Sequence, residues 1–305
     1  MGFSSFDSII NSVTSEKTFR VDWWYKTNNE ILTSSSSINV DLGSHFSSHG
    51  TPNLFPGTSL SYVSCNESAG NGTQIFGIPH GGNVSTDTKH IVYASTMNPS
   101  YIVGGIPSSS PAFLTLVDLQ GYWANINYNT TTTQNLTGSP GSTLRYTNGA
   151  GCRLYLVCTS SVGTTANTLS ITYRNTAGTS KTVSNIPYLG GSKLRSVILN
   201  NTESNMVNQL FISLNPGDTG VSNCESITFN GAVTGTGALC LARPLITLPI
   251  YNILNFTESE FVHQTPSLPR VRDGACLVWL FSGSALSGNV VVGTSFSGDL
   301  QFAWG

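Results

Sequence analysis

From residue 90 to the end of the chain, apolar and polar positions alternate with a period of two, which sends successive side chains to opposite faces of a β-strand. HIVYAST (90–96), AFLTLVDL (112–119) and CRLYLVCTS (152–160) carry this pattern, and turn signals separate them. ALCLARPL, ACLVWLFS, NVVVGTS and DLQFAW continue it toward the C-terminus. In LSITYRN-TAG-TSKTVSNI the alternation predicts a hairpin. Leu169, Ile171 and Tyr173 face inward, Ser170, Thr172 and Arg174 face outward, and Thr176-Ala177-Gly178 turns the chain. ACLVWLF (275–281) is apolar at every position, which predicts a central strand covered on both faces. NINYNTTTTQNLTGSPG (125–141) is polar and of low complexity, so a surface loop is expected there. No fixed-period repeat is present.

The first 55 residues read differently. Ser4 or Ser5 can cap a short helix through SFDSIINSVTSE, with Phe6, Ile9, Ile10 and Val13 on one stripe. In TFRVDWWYKT, Phe19, Val21, Trp23 and Tyr25 alternate with Arg20, Asp22, Trp24 and Lys26, a strand with one aromatic face. A serine run (34–37) and the turn-rich LGSHFSSHGTPNLFPG follow. The expected organisation is an N-terminal arm at 1–55 ahead of a β-sandwich body at 56–305, with room for two packed subdomains. The arm has two equally open destinations, its own sheet or a neighbouring subunit. In the second case Phe19, Val21, Trp23 and Tyr25 are the interface anchors.

Composition supports the β reading. Charged residues are only 9 % of the 305, against roughly 25 % in an ordinary domain. Ser, Thr, Asn and 31 Gly take their place, and these residues suit strands and turns better than the solvent faces of helices. The expected fold class is all-β, a jelly-roll-like antiparallel sandwich. The net charge of −2 and the scattered 13 Lys and Arg show no basic stripe, so no nucleic-acid partner is expected. The longest apolar run, residues 275–281, is too short for a helical membrane span, and the N-terminus lacks a secretory signal. Met1-Gly2 with Ser5 is only a loose myristoylation pattern. Without a secretory route, the six Cys (65, 152, 158, 224, 240 and 276) are expected to be reduced and mostly buried. Cys152 and Cys158 fall on one strand face with Leu154 and Leu156.

Candidate chemistry is sparse. No phosphate-cradling glycine loop, nucleophile elbow or H-E-x-x-H occurs. Glu258 and Glu260 share one side of an extended segment near His263; a solvated edge or subunit rim accounts for them better than a glycosidase pair. His45 and His49, and His80 and His90 with Asp87 between them, are the residues from which a transition-metal site could be assembled. Hydrogen-bonded loop histidines are the commoner case, so no metal and no cofactor is expected. Seven N-x-[ST] sequons follow from the Ser/Thr-rich composition and do not indicate glycosylation. Tyr122 and Trp123, followed by Asn125 and Asn127, form the one candidate sugar platform, set against a core or interface role for the same rings.

SSFDSIINSVT with FRVDWWYK, HGGNVSTDTKH, LVDLQGYW, RYTNGAGCRLYLV, LARPLITLPI, QTPSLPRVRDGACLVWLF and the terminal DLQFAWG resemble segments of virion structural proteins of tailed bacteriophages. The resemblance runs from end to end and includes no catalytic motif. It implies a non-enzymatic, head-associated subunit, either a capsid decoration or a minor capsid component, made in the host cytoplasm and carried in the virion. Its implied partners are the phage major capsid protein and further copies of itself, with a trimer favoured because closed symmetry presents repeated contacts. The alternative is a carbohydrate-binding adhesin or fibre knob, which shares this composition but usually follows a coiled-coil or repetitive shaft. A depolymerase would need a carboxylate cluster, and the 15 acids are thinly spread.

Overall fold

A computed structural model describes residues 5–15, 18–28, 38–41, 55–67, 77–97, 112–165, 167–188, 197, 210–250, 256–264, 268–283 and 294–305. The elements begin with α1 (Phe6–Ser15), β1 (Phe19–Asn28), β2 (Ile38–Asp41), β3 (Tyr62–Ser64) and β4 (Lys89–Met97). The middle holds β5 (Ala112–Asn127), β6 (Gln134–Asn135), β7 (Arg153–Cys158), β8 (Asn167–Asn175) and β9 (Ser180–Tyr188). The last part holds β10 (Val221–Phe229), β11 (Thr236–Ile250), β12 (Phe256–Glu260), α2 (Phe261–Gln264), β13 (Arg270–Val271), β14 (Leu277–Gly283) and β15 (Thr294–Trp304). The fold is all-β and jelly-roll-like, with its antiparallel sheets packed as a sandwich.

Three sheets share the work. The first runs β1-β15-β4-β12, with β13 on β4; the central sheet runs β2-β14-β5-β11-β7, with β3 on β5; the third runs β6-β10-β8-β9. The two longest strands, β5 and β11, pair along most of their length and pass through both halves of the molecule. At one end Leu114, Leu116, Ile246, Leu248, Leu277, Trp279 and Phe281 pack against Trp24, Ile91, Ala94, Phe296, Leu300 and Phe302 of the first sheet. At the other end Trp123, Ile126, Leu154, Leu156, Leu239 and Leu241 pack against Leu169, Ile171, Tyr173, Cys224, Ile227 and Phe229 of the third sheet. The opposite face of the central sheet has its own core of Val117, Leu119, Tyr122, Tyr155, Val157, Cys240, Val278 and Leu280. The register shift at Leu241/Ala242 leaves Gln120 as an extra residue in β5, and that at Pro244/Ile246 leaves Leu245 as an extra residue in β11, so the parity of each strand changes once between the two cores.

Between the two cores β5 carries polar residues that are fully buried. Asp118 and Gln120 have no solvent exposure. Arg145 closes on Asp118 through Nη2 (2.6 Å) and Nε (3.1 Å to both oxygens). It also donates to the carbonyls of Cys65 (2.6 Å) and Leu119 (2.5 Å). Gln120 Oε1 accepts the Arg145 backbone N–H (3.0 Å), and Asp118 Oδ1 accepts from the Cys276 N–H (3.1 Å). Each charge in the seam is therefore met by its opposite and by backbone, the condition under which an ion pair tolerates burial.

The hairpin β8–β9 turns through Gly178 (φ 77°), with Leu169, Ile171 and Tyr173 buried. β14 is buried on both faces. The helix caps itself reciprocally, Ser8 N–H to Ser5 Oγ and Ser5 N–H to Ser8 Oγ, both 3.2 Å. All six cysteines are free thiols and buried, and Cys152 and Cys158 line one core with Leu154 and Leu156. The arm's strand takes the first of its two destinations: β1 pairs with β15 from Phe19↔Ala303 to Asn28↔Thr294. The loop expected at 125–141 is corrected in part. Ile126, Tyr128 and Leu136 are core residues, and Gln134 joins the third sheet. Gln134 copies a strand partner, accepting from the Asn127 N–H and donating to its carbonyl, each at 2.8 Å, which is how a polar sequence satisfies backbone without an apolar pattern. The serine run, His45, His49 and residues 289–293 lie outside the described residues.

Replacing Arg145 by Met should leave Asp118 charged and alone in the seam, at a cost of about 3–5 kcal/mol. The half-exposed pair Arg174–Glu225 is the control, where Arg174→Ala should cost under about 1 kcal/mol. Urea unfolding of the two variants measures the difference.

Candidate interface on the first sheet

β1 is an edge strand whose alternation separates two adjacent tryptophans. Trp24 points inward, is 3 % exposed and meets Trp279 with ring centroids 5.1 Å apart. Trp23 points outward and is 79 % exposed. Val21, two residues away on the same face, is also exposed, and Phe19 is half-buried. The Tyr25 side chain lies outside the described residues.

Register carries this outward face across the sheet. Val21 pairs with Gln301, Gln301 with Tyr93 and Tyr93 with Glu260. Trp23 pairs with Asp299, and Glu258 with Ser95. Tyr25 pairs with Ser297, Ser297 with Met97 and Met97 with Phe256. The centre of the face is polar and internally satisfied. Ser95 Oγ donates to Asp299, Gln301 Nε2 donates to Asp299 Oδ2 (3.0 Å), and Tyr93 Oη donates to Glu258 Oε2 (2.7 Å). Burial and the Glu258 carboxylate both push the Tyr93 phenol above its ordinary pKa, so it remains a donor. The margins are apolar. Among the described residues the large exposed hydrophobics are Ile10, Val21, Trp23, Met97 and Phe256 (55 % exposed), and all five belong to α1 or the first sheet. α1 packs on β15, where Ser12 Oγ donates to the Trp304 carbonyl (2.9 Å).

Glu258 and Glu260 thus sit on this face beside Tyr93, as a rim residue pair would; the His263 side chain is outside the described residues. The sugar platform at Tyr122 and Trp123 is corrected, because both rings are buried. They lie on opposite faces of β5, Tyr122 against Phe55 and Trp123 against Tyr62, both at 5.0 Å. Neither offers a stacking surface. The histidines of the metal candidate are held separately. His80 is buried, with Nε2 3.1 Å from Glu67 Oε2 and 3.0 Å from the Ala275 carbonyl, so this nitrogen carries the proton. Nδ1 accepts from Lys89 Nζ at 3.0 Å, and Lys89 also donates to the His80 and Gly82 carbonyls at 2.6 Å. His90 Nδ1 faces the Leu268 carbonyl at 3.3 Å. Among the described residues no three metal-ligating side chains converge. Sequence reading passed over Glu67 and Lys89; the signal available was a charged residue opening an otherwise apolar strand.

No protein-family model matches the chain, and no curated protein matches it. Among solved structures, the infectious bursal disease virus Gt strain aligns over 97 % of this chain and 86 % of its own, at 10 % identity and a TM-score of 0.21. The VP2 subviral particle of infectious bursal disease virus aligns over 94 % and 80 %, at 12 % identity and a TM-score of 0.21. Superpositions at these scores do not establish a shared fold.

The two tryptophans separate stability from surface. Trp24→Ala should cost about 3–5 kcal/mol through the cavity beside Trp279, whereas Trp23→Ala should change monomer stability by about 0.5 kcal/mol or less. His80 gives a pH test. Burial and then Lys89 lower its pKa, so the folded state holds it neutral. Its contribution is complete above the unfolded-state value of about 6.5 and is lost as pH falls below that. The urea midpoint should drop between about pH 7.5 and pH 5, and His80→Gln should flatten that slope.

Proposed function

We propose that the protein is a non-enzymatic virion structural subunit of a tailed phage, seated on the head as a decoration, cement or minor capsid component. The observation that carries this reading is the gathering of the exposed apolar side chains on α1 and the outer face of the first sheet in a chain only 9 % charged. Large exposed apolar residues confined to one sheet and its helix favour an association surface there, and low charge removes the self-repulsion that would oppose close subunit packing. The end-to-end resemblance of its sequence segments to tailed-phage virion proteins supplies the setting. Its partners in this reading are further copies of itself, as a trimer, and the major capsid protein. Contacts of this kind are apolar and hydrogen-bonded, so they depend weakly on salt.

Sedimentation of the purified protein should give a trimer that persists from about 0.1 to about 1 M salt. Trp23→Ser should weaken association at least about tenfold, as expected for an aromatic anchor, without lowering the unfolding midpoint of the monomer. A chain that stays monomeric at every concentration and does not bind emptied heads would overturn the reading. So would its location at a tail tip with saturable glycan binding, which is the outcome the adhesin alternative predicts.

A further inference from the structure

Three sequence segments far apart in the chain, RYTNGAGC (145–152), ARPLIT (242–247) and LPRVRD (268–273), meet around one cleft. Its volume is about 630 Å³. Arg243, Arg270 and Arg272 line it with Tyr146, and the remaining wall is largely apolar, including Pro244, Ile246 and Phe261; no carboxylate lines it. Asp87 and Asp273 enter only an adjoining cavity of about 240 Å³. Three of the chain's 13 basic residues therefore share one opening in a protein of net negative charge. Among the described residues none of the three has an ion-pair partner, whereas Arg20, Arg145 and Arg174 each do.

Two of the three guanidinium groups, those of Arg243 and Arg272, are held in place. Arg243 lies over the Tyr146 ring at 5.3 Å and Arg272 at 5.6 Å. Arg243 Nη1 also donates to the Ala150 carbonyl at 2.5 Å. Gly151, at φ 69°, leaves room for that group, since a Cβ there would lie 1.3 Å from Arg243 Nη1. Arg272 Nε is buried with no hydrogen-bond partner, a donor that normally finds one. Partial desolvation and the neighbouring charge of Arg272 lower the Arg270 pKa, with Tyr146 and Asp273 acting the other way. Guanidinium forks fixed in this way, short of acceptors, match the oxygens of a phosphate group.

We propose that this cleft binds a phosphate-class oxyanion, either free phosphate or the phosphate of an ester whose apolar body rests on the Pro244–Ile246 wall. The probes are inorganic phosphate and AMP, titrated into the full chain with KCl at matched ionic strength as the control, and read by thermal shift and calorimetry. A saturable rise in melting temperature beyond the KCl control is expected. Equal affinity for the two probes assigns free phosphate, and tighter AMP binding assigns an ester; both support the site. Arg270 is exposed, so Arg270→Gln should fold with an unchanged or higher melting temperature in the absence of anion, yet weaken binding about tenfold. Arg270→Lys, which keeps the charge but loses the fork, should also weaken it. Absence of a saturable shift with either probe, or binding unaffected in both variants, would overturn the proposal.

Discussion

The buried contact between Asp118 and Arg145 is the constraint around which the sheets are arranged. β5 and β11 must cross from one apolar core to another, and the crossing point cannot be apolar throughout without merging the two. A carboxylate and a glutamine with no solvent exposure occupy it instead. Arg145 then ties β5 to the carbonyl of Cys65, and Asp118 ties β5 to the backbone at Cys276. The ion pair thereby ties β5 to the segments that flank β3 and β14 within the central sheet. A hydrophobic isostere could supply similar packing energy; what the ion pair adds is register, because only one alignment satisfies all its partners.

The same economy of charge shapes the surface. With so few Lys, Arg, Asp and Glu, several of those among the described residues act on backbone or on one another. Lys89 is spent inside, holding His80 and the carbonyl of Gly82. The outer face of the first sheet satisfies its own polar centre through Ser95, Asp299, Gln301, Tyr93 and Glu258, which leaves the apolar margins as the part of that face with unmet contacts. A partner gains by covering Trp23 and Phe256, and it need not break the polar network to do so.

Much of the fold was legible in the sequence because β-structure writes its burial into a period of two. The inward residues of the β8–β9 hairpin and the shared face of Cys152 and Cys158 follow from that period, the turn follows from Thr176-Ala177-Gly178, and the doubly covered β14 follows from its unbroken apolar run. The pattern failed where backbone needs were met by polar side chains, as at Gln134, and it did not decide between the platform and the core role that stood against it for Tyr122 and Trp123. Tyr122 and Trp123 are adjacent in sequence and sit on opposite faces of one strand, so they could never form a single platform; burial of both faces then removed each ring from solvent.

What the amino-acid order determined by itself was most of the longer strands (β10 excepted), their inward residues and the separation of Trp23 from Trp24, since all of these depend on neighbours one to four positions away. Tertiary structure alone decided which sheet the first strand joins, which buried charges find each other and which arginines stay unpaired. Asp118 and Arg145 are separated by 27 residues, Glu67 and His80 by 13, and Ser95 and Asp299 by 204. Contacts over such distances are selected by the packing of whole sheets, and no local periodicity records them.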